Sequence, residues 1–284
     1  ELLRTRVSQI EDSAQYRQVY ADGLKSIVTD YPRDPAAEEC YSELARLHLN
    51  ENPEKAAAYA DSVLQNFPAG PHREEMLLCR GLSKAAAGDT SAATTDLQRY
   101  LEKYPKGPGI FDAEFKLAQI HSSQSEQIAL AEDLMQKYSY NRRLPEVMEF
   151  LGDLYLQTGQ YDLAMLLYDR IDDVAQPSTP LAKSSDASYK MGLSYQRMGN
   201  LQEAQSYFLE YAMNNPEGMH WGDAVFALAE ISEQLDRGPS ALKYYQNLIA
   251  RPGLESMNRQ ALERMAEIYS SMGSYNDSRK IYLQ

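Results

Sequence analysis

Small side chains recur along this chain at a nearly constant interval, and turn formers, aromatics and prolines stand at fixed offsets from them. Ala45, Gly81, Ala118, Gly152, Gly192, Ala229 and Ala266 follow one another at spacings of 36, 37, 34, 40, 37 and 37 residues. Twelve residues after six of these comes a second small residue: Ala57, Ala93, Ala164, Ala204, Ala241 and Ser278. Between the two lie Asn52, Gly88, Gly159, Gly199, Asp236 and Gly273, and four residues past the second come Leu97, Tyr168, Phe208, Tyr245 and Tyr282. Units close on Tyr31-Pro32, Phe67-Pro68, Tyr104-Pro105, Pro177, Asn215-Pro216 and Arg251-Pro252. A period of this length marks a repeat architecture.

The offsets describe a helical hairpin. A small residue in the middle of helix A lets helix B approach, and the second small residue is its counterpart. Gly or Asn ends helix A because these residues accept the left-handed conformation of a helix stop. The large residue four positions along helix B shares a face with the small one and fills the space between the helices. Pro cannot continue helix B. The period-two alternation of β-branched residues that marks strands is absent.

Three copies carry the pattern most fully: Leu151-Gly152 with Tyr155, Gly159, Ala164 and Tyr168; Met191-Gly192 with Tyr195, Gly199, Ala204, Phe208 and Pro216; and Met265-Ala266 with Tyr269, Gly273, Ser278 and Tyr282. On these residues the chain resembles the tetratricopeptide repeat family. The family's helix A Trp is missing, His48 and His121 stand where it prefers Tyr, and the unit around Ala118 has a shortened turn at Ser122-Ser123-Gln124-Ser125. The resemblance implies an all-α fold, a right-handed superhelical solenoid of about eight helix-turn-helix hairpins in one continuous array. The units are about 1–33, 34–69, 70–106, 107–140, 141–180, 181–217, 218–252 and 253–284, the first degenerate. Residues 172–185, with Pro177 and Pro180, are the candidate for a soft joint; a merely extended loop is the alternative. The chain opens on Glu1 and its last residues read as helix, so a longer protein is expected.

Composition narrows the function more than it defines it. The 284 residues carry 41 acidic against 28 basic side chains, a formal charge of -13. That balance argues against nucleic-acid binding, which needs clustered Lys and Arg. No run reaches the roughly 20 apolar residues of a membrane span. No phosphate-binding loop, dinucleotide fingerprint, zinc-protease helix or nucleophile elbow is present, so an enzyme is not expected, nor a cofactor or metal. Cys40 and Cys79 read as buried inert thiols, and His48, His72, His121 and His220 as packed histidines rather than ligands. Trp221 lies outside the packing register and reads as a junction cap, with a partner anchor as the alternative.

The resemblance also implies where a partner would lie: on the helix A residues six and three before the first small residue, and one and four after it. These are Glu146, Glu149, Asp153 and Leu156 around Gly152; Asp223, Phe226, Glu230 and Glu233 around Ala229; and Gln260, Glu263, Glu267 and Ser270 around Ala266. Earlier units place Glu39, Ser42, Arg46 and Leu49, then Glu75, Leu78, Leu82 and Ala85, then Asp112, Phe115, Gln119 and Ser122 there. Clamps for a C-terminal carboxylate use Lys and Asn at such positions, which are absent. Acids in a first helical turn suit the helix dipole whatever the function, but Glu149, Asp153, Glu230, Glu233, Glu263 and Glu267 lie deeper. With Tyr189 and Phe226 they form the candidate partner-binding set, suited to a basic or amphipathic protein segment. A simply solvated acidic face is the competing reading. Reversing Glu149, Glu230 and Glu263 to Lys is expected to weaken partner capture at little cost in stability.

The reading is therefore a non-catalytic interaction scaffold. The Tyr-Pro and Phe-Pro endings and the acidic start Asp34-Pro35-Ala36-Ala37-Glu38 are similar to those of bacterial cell-envelope repeat proteins, the outer-membrane assembly lipoproteins and Tol-Pal-associated periplasmic proteins. This resemblance implies the periplasm or outer membrane; a cytoplasmic protein is the alternative. A regulatory or targeting module of a larger multidomain protein is the rival function.

Overall fold

A computed structural model describes residues 13–174 and 186–282. Among them are fifteen helices and no strand. In chain order they are α1 (Ser13–Asp30), α2 (Pro35–His48), α3 (Pro53–Asn66), α4 (Arg73–Ala86), α5 (Thr90–Lys103), α6 (Ile110–Ile120), α7 (Gln124–Lys137), α8 (Leu144–Gln157), α9 (Tyr161–Val174), α10 (Ala187–Arg197), α11 (Leu201–Asn214), α12 (Trp221–Gln234), α13 (Gly238–Ile249), α14 (Glu255–Ser271) and α15 (Tyr275–Tyr282). Contacts group the chain into two compact halves, Glu1–Leu130 and Ala131–Gln284. In the first half α2 packs on α3 and α4 on α5; in the second α8 packs on α9, α10 on α11, α12 on α13 and α14 on α15. The expected hairpin is thus the building block of both halves.

Local chemistry sets the helix ends where the sequence placed them. Helices α1, α3, α5 and α11 stop just before Tyr31-Pro32, Phe67-Pro68, Tyr104-Pro105 and Asn215-Pro216, and α13 stops just ahead of Arg251-Pro252. Side-chain oxygens of Asp34, Asn52 and Asp89 accept from Ala36, Lys55 and Ala92 N–H groups at the starts of α2, α3 and α5, satisfying donors that a helix start leaves open. Helix A ends at positive φ in five hairpins: Gly88 (85°), Gly159 (77°), Gly199 (81°), Asp236 (56°) and Gly273 (76°). The amide following each of these residues reaches back to a carbonyl five positions earlier at 2.8–2.9 Å, from Asp89 to Lys84 through Ser274 to Tyr269. That bond is the signature of the Schellman stop.

The hairpin cores confirm the role of the small residues. Ala45, Ala118, Ala229 and Ala266 have no exposure, and nor do Ala93, Ala164, Ala204 and Ala241 on helix B. A Cβ on Gly152 would come within 2.7 Å of the Tyr168 ring, and one on Gly192 within 2.8 Å of Phe208. The ring thus occupies the volume a larger helix A residue would need. Tyr168, Phe208 and Tyr245 are fully buried, each worth roughly 1.5–3 kcal/mol of burial.

The register departs from expectation at two places. In the hairpin of α2 and α3 the buried small residues of helix B are Ala56 and Ala60, while Ala57 keeps partial exposure. Asn52 caps α3 with φ -148° and is not a left-handed stop, so α3 begins one residue earlier relative to Ala45 than helix B does elsewhere, and the register slips by one. Tyr59 and Phe67 pack on Tyr41 there, at centroid distances of 6.4 and 6.5 Å, in place of the usual ring. Tyr282, in the last described turn, is exposed rather than buried. Within the proposed joint 172–185, residues 175–185 lie outside the described residues.

Candidate functional site

Successive hairpins are tied by side chains that cap the next helix start. In the first half the Tyr100 hydroxyl donates to Glu74 Oε1 at 3.1 Å and accepts from Gly109 N at 3.0 Å. In the second half Tyr211 repeats this, donating to Asp186 Oδ1 at 2.7 Å and accepting from His220 N at 3.3 Å. Burial, then the hydrogen bond to Asp186, pushes the Tyr211 phenol up to about 12. Both tyrosines stand seven residues after the second small residue, a recurrence that sequence reading did not use.

The helix A face of the second half holds two ionic clusters built on one register. Lys190 on α10 stands two residues before Gly192 and reaches back to α8. Its Nζ lies 2.8 Å from Glu149 Oε1 and 2.8 Å from Asp153 Oδ1, and 5.7 Å from the centre of the Tyr168 ring. The Tyr168 hydroxyl donates to Asp153 Oδ1 at 2.8 Å. Burial opposes the charge on Lys190, but Asp153 and Glu149 outweigh it and its pKa is raised. Tyr168 is pushed far up by burial and then by Asp153.

Arg264 on α14 holds the same place, two residues before Ala266. Its Nη2 lies 2.7 Å from Glu233 Oε2 and its Nη1 2.7 Å from Glu267 Oε2. The Tyr245 hydroxyl donates to Glu233 Oε1 at 2.6 Å, as Tyr168 does to Asp153. A third cation at this register, Lys116 on α6 in the first half, bonds only Gln119 Oε1 at 2.6 Å among the described residues, and burial lowers its pKa.

The eight residues expected to bind a partner therefore fall into different environments. Glu149, Asp153, Glu233 and Glu267 are already paired with Lys190 or Arg264. Reversing Glu149 would break its bond to Lys190, so that substitution is not the harmless one expected. Glu230 and Glu263 make no hydrogen bond or ion pair among the described residues; Glu263 is exposed and Glu230 half-buried. Burial raises the Glu230 pKa, Arg264 lowers it and Glu233 raises it again, with a net rise. Tyr189 lies flat on His220, centroids 4.5 Å apart and planes 3° apart, and also meets Phe208 and Tyr211. Burial, then Asp223 and Asp186, pushes Tyr189 up to about 12. Phe226 meets Tyr245 edge-on at 5.4 Å and stays half-buried. Lys190 and Arg264 were missed because they lie off the four face positions; their shared offset from the small residue was the available signal.

Other residues behave by position. His72 and His220 both stand nine residues before the helix A small residue, each between carboxylates of two successive helix starts. His72 Nε2 lies 2.8 Å from Glu39 and its Nδ1 3.7 Å from Glu75; His220 lies 3.6 Å from Asp186 and 3.4 Å from Asp223. His48 stacks on Tyr59 at 5.8 Å, but His121 is exposed at the end of α6, accepting from Ser123 N through Nδ1, and is not the packed residue expected. The Arg251 guanidinium covers the Trp221 ring at 4.2 Å while bonding Glu217 at 3.1 Å, so this tryptophan caps the junction between α11 and α12. Cys40 and Cys79 are buried free thiols, and burial pushes Cys79 up to about 11. Among the described residues no group of His, Cys, Asp and Glu is arranged to hold a metal ion, and no helix is long and apolar enough to cross a membrane.

Fold and face together define a helical-repeat array. Family models described as tetratricopeptide repeat match residues 77–107, 145–176 and 186–217. The matched stretches are tetratricopeptide repeats, and the same register recurs in the hairpins α12–α13 and α14–α15. No curated protein matches the sequence significantly. Solved structures share the fold at low identity. The C-terminal part of a repeat protein from Cytophaga hutchinsonii is 16% identical with a TM-score of 0.62, the match covering 84% of this chain and 93% of that one. PilW, a type IV pilus biogenesis factor, is 18% identical with a TM-score of 0.59, over 78% and 97% of the two chains. A repeat protein from Parabacteroides merdae is 15% identical with a TM-score of 0.56, over 87% and 99%. Arrays of this kind typically serve as protein-binding scaffolds without catalytic activity.

Proposed function

We propose that this protein is a non-catalytic scaffold that holds a basic or amphipathic segment of a partner protein against the helix A face of its second half. One observation carries the reading. Nine carboxylates occupy that face (Glu146, Glu149, Asp153, Asp186, Asp223, Glu230, Glu233, Glu263 and Glu267), while Arg143, Lys190 and Arg264 are the permanent cations bonded to them among the described residues. Internal pairing thus leaves a surplus of negative charge, and surplus charge on a binding face selects and steers partners of opposite sign. Phe226 supplies apolar surface within it.

The test uses two synthetic amphipathic peptides of equal length, one alternating Leu with Lys and one alternating Leu with Glu, measured by fluorescence anisotropy. The Lys peptide should bind more tightly and weaken as salt rises, because exposed charges are screened beyond about 8–10 Å at 0.1–0.15 M. Equal binding of the two, or a preference for Glu, refutes the reading. We place this scaffold in the bacterial cell envelope, on the strength of the unit endings Tyr31-Pro32, Phe67-Pro68 and Tyr104-Pro105 and the acidic start at Asp34. The fold shared with a pilus biogenesis factor is compatible with that. A precursor with no export signal ahead of Glu1 would sink this placement.

A further inference from the structure

The two ionic clusters of the second half share one register, but their cations settle on different carboxylates. In the first, Lys190 fills a place bounded by Glu149 three residues before Gly152, by Asp153 one residue after it, and by the Tyr168 ring. In the second, the corresponding positions around Ala229 are Phe226, Glu230 and Tyr245. The corresponding cation, Arg264, does not return to Glu230. Its guanidinium extends to Glu233 and to Glu267, and both are bonded at 2.7 Å. Glu230 is left half-buried with no hydrogen bond or ion pair among the described residues, one helical turn from a half-buried phenyl ring.

We propose that Phe226 and Glu230 form a socket for one lysine or arginine side chain of the partner, its aliphatic stem on the Phe226 ring and its charged head on the Glu230 carboxylate. This rests on the reading of the helix A face as partner-binding and names its anchoring position. The chain itself shows what the register binds, since the equivalent carboxylate two hairpins earlier, Asp153, holds the Lys190 ammonium. Replacing Glu149 by Phe226 exchanges one charge for apolar surface, which suits the long stem of a basic side chain. The raised pKa of Glu230 agrees with a carboxylate whose lost hydration the unbonded Arg264 offsets only in part.

The experiment compares the Leu-Lys peptide with one in which every Lys is Gln, on the wild-type chain, Glu230→Gln and Glu263→Gln. The wild type should prefer the Lys peptide at least tenfold. Glu230→Gln, which keeps the side-chain shape and breaks no internal bond, should reduce that preference about tenfold; Glu263→Gln, exposed on the neighbouring helix, should reduce it less than twofold. In carboxyl-labelled protein the Glu230 signal should titrate above the usual glutamate range when free and fall when the Lys peptide saturates the face. Lys-peptide binding that is the same in wild type and Glu230→Gln overturns the socket and leaves the acidic face standing. No preference for Lys over Gln in the wild type overturns both.

Discussion

Phe208 lies against Gly192 so closely that a Cβ added there would come within 2.8 Å of its Cδ1 and Cε1 atoms. The contact joins the middle of α10 to the middle of α11 and sets how near the two helices lie. Gly192→Ala should therefore destabilise the second half by roughly 1–3 kcal/mol through overpacking, although alanine is intrinsically the better helix former by about 1 kcal/mol. Urea unfolding followed by circular dichroism checks it. A variant as stable as the parent would mean that the ring can move aside at no cost.

The cation two residues before the small residue should have opposite value in different hairpins. Lys190→Met leaves Glu149 and Asp153 without their shared cation and should cost about 1–3 kcal/mol. That is less than the 3–5 kcal/mol of a fully buried pair, because the two carboxylates keep 30% and 37% exposure. Lys116→Met removes a half-buried ammonium that burial disfavours and should be neutral or stabilising. Thermal melting of both variants decides it, and equal losses would show that register alone sets the contribution.

Tyr211→Phe keeps the packing and removes one hydroxyl that serves both Asp186 and the His220 amide. A loss of about 1–3 kcal/mol is expected, the range for leaving buried polar groups unpaired. Hydrogen exchange at the His220 amide should quicken in parallel; unchanged exchange would show that water replaces the hydroxyl.

Acid should loosen the tie between α2 and α4. The side-chain hydrogen bond from Arg46, with Arg46 Nε 2.5 Å from Glu75 Oε1, holds the Glu75 carboxyl below the usual glutamate range. A depressed carboxylate contributes stability that is present above its unfolded-state pKa and lost as pH falls through its folded-state value. The melting temperature of the wild type should thus fall more steeply below about pH 4.5 than that of Glu75→Gln. Parallel pH profiles would show that the pair carries no net stability.

Cys79 should react with thiol reagents at pH 8 far more slowly than a free thiol, since burial pushes its pKa up to about 11. Thiolate is the reactive form. Reaction in urea should appear with unfolding of the first half; fast labelling of the native chain would show that α4 opens locally.

The repeat itself was legible because short-range physics writes it. A proline that ends a helix, a glycine that accepts φ of 85° at position 88, and an apolar face every third or fourth residue all act within one or two turns. Where that local signal was ambiguous the reading slipped: Ala57 and Ala56 are adjacent alanines, and only packing showed that Ala56 is the buried one. His121 was assigned to the core by its offset, yet the shortened turn leaves it exposed.

The candidate site was legible only as a composition. The sequence by itself determined which helix faces are acidic and where hairpins begin and end, since those follow from period and local caps. Only the tertiary structure decided which of those acids are already neutralised. Lys190 reaches Asp153 across 37 residues of sequence, and Arg264 reaches Glu233 across 31. A flexible cation on one helix has several carboxylates within range on the preceding one, and it was the packed geometry of the hairpins that sent Arg264 to Glu233 and left Glu230 open.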